Sequence, residues 1–145
     1  LASYRREEDK SILLDALSHY DNENEDVDWE DDETNNALLA VTVWACQDFV
    51  PLLMRIRDYE IKKDDSSMLP RNKYLFEAVM AYNNQWAYNF IDATLALSSK
   101  KKDREYSSDI TMATNFHSAM LSHYNPRFSN LLRKYPGEDF GDGYE

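Results

Sequence analysis

The chain has few of the residues that form tight turns or disulfides. Its 145 residues contain three glycines, four prolines and one cysteine. A strand-rich domain needs a turn about every ten residues, so this composition excludes a sheet protein and favours helices. Because Cys46 is the single cysteine, an internal disulfide is excluded. A reducing, intracellular location, cytoplasmic or nuclear, is therefore predicted.

An uninterrupted apolar run that could cross a membrane is also missing. The most apolar window, residues 37–54, contains Gln47, Asp48 and Pro51. A carboxylate at the centre of a bilayer costs about 3 kcal/mol even on the mildest scale. We therefore predict a core helix in this window and no membrane partner. The chain starts at Leu1 and not at Met, so a longer protein and a removed leader both stay open.

No catalytic or cofactor motif is present. Three glycines do not build a phosphate-binding loop or a dinucleotide fingerprint. Cys46 lies in an apolar run and shares no helical face with His19, His117 or His123, so no nucleophile–base pair is indicated. No catalytic residue, metal ligand or cofactor is predicted. His117 is expected to be a hydrogen-bonded residue at the core or its rim.

The negative charge is concentrated in the first quarter of the chain. The formal net charge is −11. Residues 1–36 carry 13 acidic and 3 basic side chains, a net of −10, whereas residues 37–145 carry 14 and 13, a net of −1. This asymmetry points to one segment with a role of its own and not to a generally acidic surface.

The acidic segment, residues 21–34, reads DNENEDVDWEDDET and has nine carboxylates and no Lys or Arg. It does not match a calcium loop, because position six is Asp26 where a glycine is needed and Trp29 takes position nine. We interpret it as a docking segment: the acids keep it solvated and attract a basic protein partner, while Trp29 supplies the anchor. The candidate contact residues are Glu23, Glu25, Asp26, Val27, Asp28, Trp29, Glu30, Asp31 and Asp32.

Three other interpretations of the acidic segment stay open. It could be a solvated connector that is neutralised by Lys100–Lys102 at the same end of a bundle. It could imitate phosphates and inhibit a nucleic-acid-binding protein, or it could be a flexible arm of a viral or phage structural subunit. Direct contact with nucleic acid is not expected, since the chain is acidic and its basic clusters at residues 62–73 and 100–104 fit solvated helix ends.

The apolar spacing predicts an all-α fold, a compact bundle of four to five helices. Pro51 predicts a kinked or split helix over about 35–63, with the break near Val50. Two adjacent apolar stripes predict one continuous central helix over about 70–99. The Asn125–Pro126 pair should separate the last two helices. A single domain is expected over residues 1–136, with the acidic segment as a connector and a mobile tail at 137–145.

A second candidate contact lies on the central helix. Tyr88 falls outside both apolar stripes and is therefore predicted to be exposed, with Asn89 beside it. Tyrosine and asparagine suit a polar interface. The sequence as a whole predicts a non-enzymatic module for protein–protein interaction, and it leaves homo-oligomerisation open.

Overall fold

A computed structural model describes residues 7–18, 33–63, 71–99 and 112–136 of the chain. These residues form seven α-helices and no strand. The helices are α1 (Glu7–Ser18), α2 (Glu33–Val41), α3 (Val50–Lys63), α4 (Arg71–Met80), α5 (Gln85–Ser99), α6 (Met112–Ser122) and α7 (Ser129–Lys134). The all-α prediction is confirmed for this part of the chain. No helix in it is long and apolar enough to cross a membrane.

The core is assembled around α4, which contacts α2, α3, α5 and α6. Every residue from position 75 to position 80 is buried, so this helix is covered on all sides. Phe76 meets Phe116 of α6 edge to face, with the ring centroids 5.7 Å apart. Such pairs add roughly 1 kcal/mol to the burial of the two rings. The central position predicted for the third segment therefore belongs to α4.

The segment predicted as a kinked or split helix over 35–63 is split. After α2, a turn and a short loop lead into a 3₁₀ turn at Gln47–Phe49 and then into α3. Pro51 is the second residue of α3. A proline costs little in the first turn of a helix, because the N–H that it lacks would have had no partner within the helix. The second helix begins at Val50 as predicted, with the proline in its first turn, whereas the first helix ends earlier than predicted, at Val41.

The prediction of one continuous helix over 70–99 is wrong. Asn83 has a φ of 49°, and it is the one non-glycine residue with positive φ among those that the structure describes. The left-handed backbone cannot continue a helix, and asparagine tolerates it better than most residues. The side chain of Asn84 then accepts a hydrogen bond from the N–H of Ala87, 2.9 Å away, as an N-cap does. One asparagine ends α4 and the next one begins α5.

The predicted count of four to five helices is not confirmed, because both long segments contain breaks. The break predicted at Asn125–Pro126 is present. The side chain of Asn125 accepts from the N–H of Arg127, and a 3₁₀ turn at Pro126–Phe128 leads into α7. The tail 137–145 and Lys100–Lys102, which one interpretation pairs with the acidic segment, lie outside the described residues.

Removing the N-cap of α5 should destabilise the fold. We expect Asn84→Ala to lower the free energy of unfolding by about 1 kcal/mol, because the N–H of Ala87 loses its acceptor. Urea denaturation followed by circular dichroism measures this. Asn89→Ala is the matched control, since Asn89 is exposed in the same helix and should change stability by less than about 0.5 kcal/mol. Equal losses in the two variants would contradict the capping role.

Candidate interaction surface

Two helix–corner–helix units, α4–α5 and α6–α7, run side by side in the same direction. Three hydrogen bonds join the units, and each one lies further along both units than the one before. They connect Asn83 with Asn125, Tyr88 with Asn130, and Asp92 with Lys134. Each of these hydrogen bonds joins residues 42 positions apart. The corner after α4 and the corner after α6 are therefore neighbours at one end of the bundle.

The two corners are joined through one side-chain oxygen. Oδ1 of Asn83 accepts a hydrogen bond from Nδ2 of Asn125 at 3.0 Å and another from Nε of Arg127 at 3.1 Å. The left-handed backbone of Asn83 presents its side chain to the neighbouring corner. The bond through Nε restrains the Arg127 guanidinium and leaves the donors of its two terminal nitrogens for other partners. Within the part of the chain that the structure describes, no carboxylate pairs with Arg127.

Large apolar side chains are exposed beside this joint. Leu121 is 80% exposed and Tyr124 is 65% exposed. The two are three positions apart at the end of α6, and Tyr124 directly precedes Asn125 of the corner, so they are the exposed apolar side chains nearest to the corner in sequence. We define the corner patch as Asn83, Leu121, His123, Tyr124, Asn125 and Arg127.

The corner patch has a positive character. No Asp or Glu occurs in residues 112–136, which contain Arg127, Arg133 and Lys134. Two acids of other elements lie close to this corner: exposed Asp48, which helps to raise the pKa of Tyr82, and Glu77 of α4, which is 4% exposed. Its carboxylate lies 3.4 Å from Nζ of Lys73 and 3.8 Å from Nε2 of His123. A buried carboxylate needs such partners, so this acid is used inside the fold.

The α7 helix is held against α5 and α6 by polar contacts at its C-terminal end. Asp92 accepts from the hydroxyl of Tyr135 at 2.7 Å and pairs with Nζ of Lys134 at 3.0 Å. The hydrogen bond from Tyr135, with that from Lys134, holds the pKa of Asp92 below its usual value. Nε2 of His117 donates to the carbonyl of Tyr135 at 2.8 Å, which confirms the hydrogen-bonded role predicted for this histidine.

The predicted contact residues have different outcomes. The acidic set, Glu23, Glu25, Asp26, Val27, Asp28, Trp29, Glu30, Asp31 and Asp32, lies outside the described residues. The prediction that Tyr88 is exposed is wrong. Tyr88 is half-buried because its ring stacks on Phe128, with centroids 6.4 Å apart, and its hydroxyl accepts from Asn130. Asn89 is exposed and accepts from Gln85, one turn earlier in α5.

Sequence reasoning missed the corner patch, although a signal for it exists. Tyr82 and Asn83 precede Trp86, and Tyr124 and Asn125 precede Phe128, at the same spacing. Each pattern places an asparagine at a helix boundary and a ring inside the following unit. The spacing of apolar residues cannot reveal that these two corners match, because Asn83 and Asn125 both fall between apolar positions.

No protein-family model, curated protein or solved structure matches this chain, so its function has to be inferred from its own residues. Among the described residues, no group of three His, Cys, Asp or Glu side chains could hold a metal ion. Cys46 is half-buried, and its carbonyl accepts from the hydroxyl of Tyr82, whose pKa is raised by burial.

The contacts of Asp92 should make the fold sensitive to acid. An unfolded aspartate titrates near pH ~3.9. Because the folded pKa is lower, the contribution of Asp92 is complete above that pH and is lost as pH falls through the folded value. We expect the free energy of unfolding of Asp92→Asn to fall less than that of the wild type between neutral pH and pH ~2.5. Urea denaturation at both pH values checks this, and Tyr135→Phe should act in the same direction. Identical pH dependence in all three proteins would contradict it.

Proposed function

We propose that this chain is a non-enzymatic module for protein–protein interaction, acting as an adaptor, regulator or assembly subunit in the cytoplasm or nucleus. The observation that carries the proposal is the corner patch. It combines exposed Leu121 and Tyr124 with an arginine that is restrained by Asn83. Protein interfaces are enriched in aromatic side chains and arginine, and rigid presentation lowers the entropy lost on binding.

The acidic segment supplies a second contact of opposite character. Its carboxylates attract a basic partner over distances of about 8 Å at physiological salt. Val27 and Trp29 provide the apolar part of the contact, since charged pairs at a rim add little affinity by themselves. The chain thus has two binding elements with different electrostatic preferences, which is what an adaptor or an assembly subunit requires.

The histidines and the buried acid support a non-enzymatic role. Nε2 of His117 donates a hydrogen bond to the carbonyl of Tyr135, and Nε2 of His123 lies near the carboxylate of Glu77. The carboxylate of Glu77 is itself buried and lies 3.4 Å from Nζ of Lys73. These groups therefore serve packing and helix placement.

A capture experiment tests the proposal. The wild-type chain is immobilised beside a segment variant, in which the carboxylates of residues 21–32 become Asn or Gln, and beside Trp29→Ala. We expect proteins that require the acidic segment to be lost from the segment variant and to be weakened at least about tenfold by Trp29→Ala, as for a central aromatic anchor. Mass spectrometry identifies the retained proteins.

Two controls make this result interpretable. Circular dichroism and urea denaturation should show that each variant keeps the wild-type fold, and Arg55→Gln, at an exposed position of α3 outside the proposed contacts, should keep all partners. The proposal fails if the same proteins bind the wild type, the segment variant and the double variant Leu121→Ser/Tyr124→Ser equally. If added DNA displaces every partner and Trp29→Ala has no effect, an acidic inhibitor that imitates nucleic acid explains the chain better.

A further inference from the structure

The acidic segment and the corner patch are attached to opposite ends of the bundle. At one end, Nζ of Lys10 in α1 lies 2.8 Å from Asp48, and the hydroxyl of Tyr82 donates to the carbonyl of Cys46. Tyr82 directly precedes Asn83, so the corner patch belongs to this end.

The other end is marked by the contact between α1 and α2. The hydroxyl of Thr34, near the start of α2, lies 3.5 Å from the carbonyl of Ala16, near the end of α1. The acidic segment connects these two helix ends, since α1 ends at Ser18 and α2 begins at Glu33. Eight residues of helix separate Lys10 from Ser18, which corresponds to roughly 12 Å.

The corner patch has the chemistry to bind an acidic peptide that contains an aromatic residue. The terminal nitrogens of the Arg127 guanidinium match the two oxygens of a carboxylate, and the bond through Nε already restrains that group. Leu121 and Tyr124, which precede Arg127 by six and three positions, offer exposed apolar surface. The ligand that fits is a carboxylate within a few residues of an aromatic or branched side chain.

The chain itself contains such a peptide. Residues 25–32 read EDVDWEDD, with Val27 and Trp29 among six carboxylates. We infer that the acidic segment of one copy of this chain binds the corner patch of a second copy. The inference rests on the proposed function and names the partner: another molecule of the same chain, joined end to end.

Placement of the two elements favours a second copy over the same molecule. Both ends of the acidic segment are attached at the end away from the patch, so an internal contact would require the segment to run about 12 Å along α1 and back. An intermolecular contact has no such limit. Because the contact joins two different surfaces, the copies form either a closed dimer with two reciprocal contacts or an open chain of molecules. The net charge of −11 opposes association at long range, and salt at physiological strength screens this repulsion beyond about 8 Å.

A complementation experiment with the purified full chain tests the inference. The segment variant keeps an intact corner patch. A patch variant, Leu121→Ser/Tyr124→Ser/Arg127→Glu, keeps an intact acidic segment. We expect the wild type to self-associate with an affinity that falls about tenfold or more from moderate to high salt, and each variant alone to be monomeric. Mixed together, the two variants should form a one-to-one complex. Light scattering after size-exclusion chromatography measures the mass in each case.

Further arms separate this inference from its competitors. A synthetic peptide of residues 21–34 should bind the segment variant and should bind the patch variant at least tenfold more weakly. Because Arg127→Glu also removes the bond to Asn83, Leu121→Ser/Tyr124→Ser with Arg127 retained serves as a second patch variant, and both of its changes are at exposed positions. It should also lose self-association while its unfolding midpoint is unchanged.

Several outcomes would overturn the inference. One is a monomeric wild type at all concentrations and salt levels, and another is a mixture of variants that forms no complex. If the peptide binds the segment variant but not the wild-type monomer, the segment occupies the patch of its own molecule. The tail carries Glu138, Asp139, Asp142 and Glu145, so loss of association on truncation after Pro136 would identify the tail as the occupant. If self-association fails while the capture experiment still shows partners that need the acidic segment, the proposed function stands and its partner is a different protein.

Discussion

A left-handed backbone at Asn83, followed at once by an N-cap at Asn84, limits α4 to ten residues and turns the chain into α5. The placement of the second half of the bundle depends on that turn. Without it, the apolar stripes would continue in one helix about 30 residues long, and α7 would have no corner to lie beside. The cost of a positive φ is small for asparagine, and the side chain recovers some of it by accepting hydrogen bonds from Asn125 and Arg127.

Polar groups inside the fold also constrain how α4 packs. α4 is covered on all sides, yet it contains Glu77, whose carboxylate lies within 4 Å of Nζ of Lys73 and Nε2 of His123. A carboxylate in this position favours one arrangement of α4 against α6, because any other register would leave it buried without a partner. The apolar contacts, such as the ring pair of Phe76 and Phe116, supply the burial, and the polar contacts select the register.

Composition and apolar spacing were sufficient to predict helices, the split at Pro51 and the break at Pro126, because proline and periodicity act locally. They were insufficient at Asn83 and Asn84, where the apolar pattern continues through a corner. They also failed for Tyr88, which lies off both stripes but is covered by Phe128, a residue 40 positions away in the 3₁₀ turn before α7. For the same reason the corner patch could not be predicted: its members come from two corners that are brought together only by tertiary packing, whereas the acidic segment is visible in the sequence as a local run of charge.

The shared acceptor at Asn83 has a consequence for how this end of the bundle moves. One oxygen serves both corners, so a fluctuation that lifts the turn after α6 also breaks the contact that steadies the turn after α4. At the other end of α7, Tyr135 is tied to both Asp92 and His117. The α7 helix has six residues and little helical stability of its own, so it should detach and return as one cooperative unit, with its amide protons exchanging at similar rates.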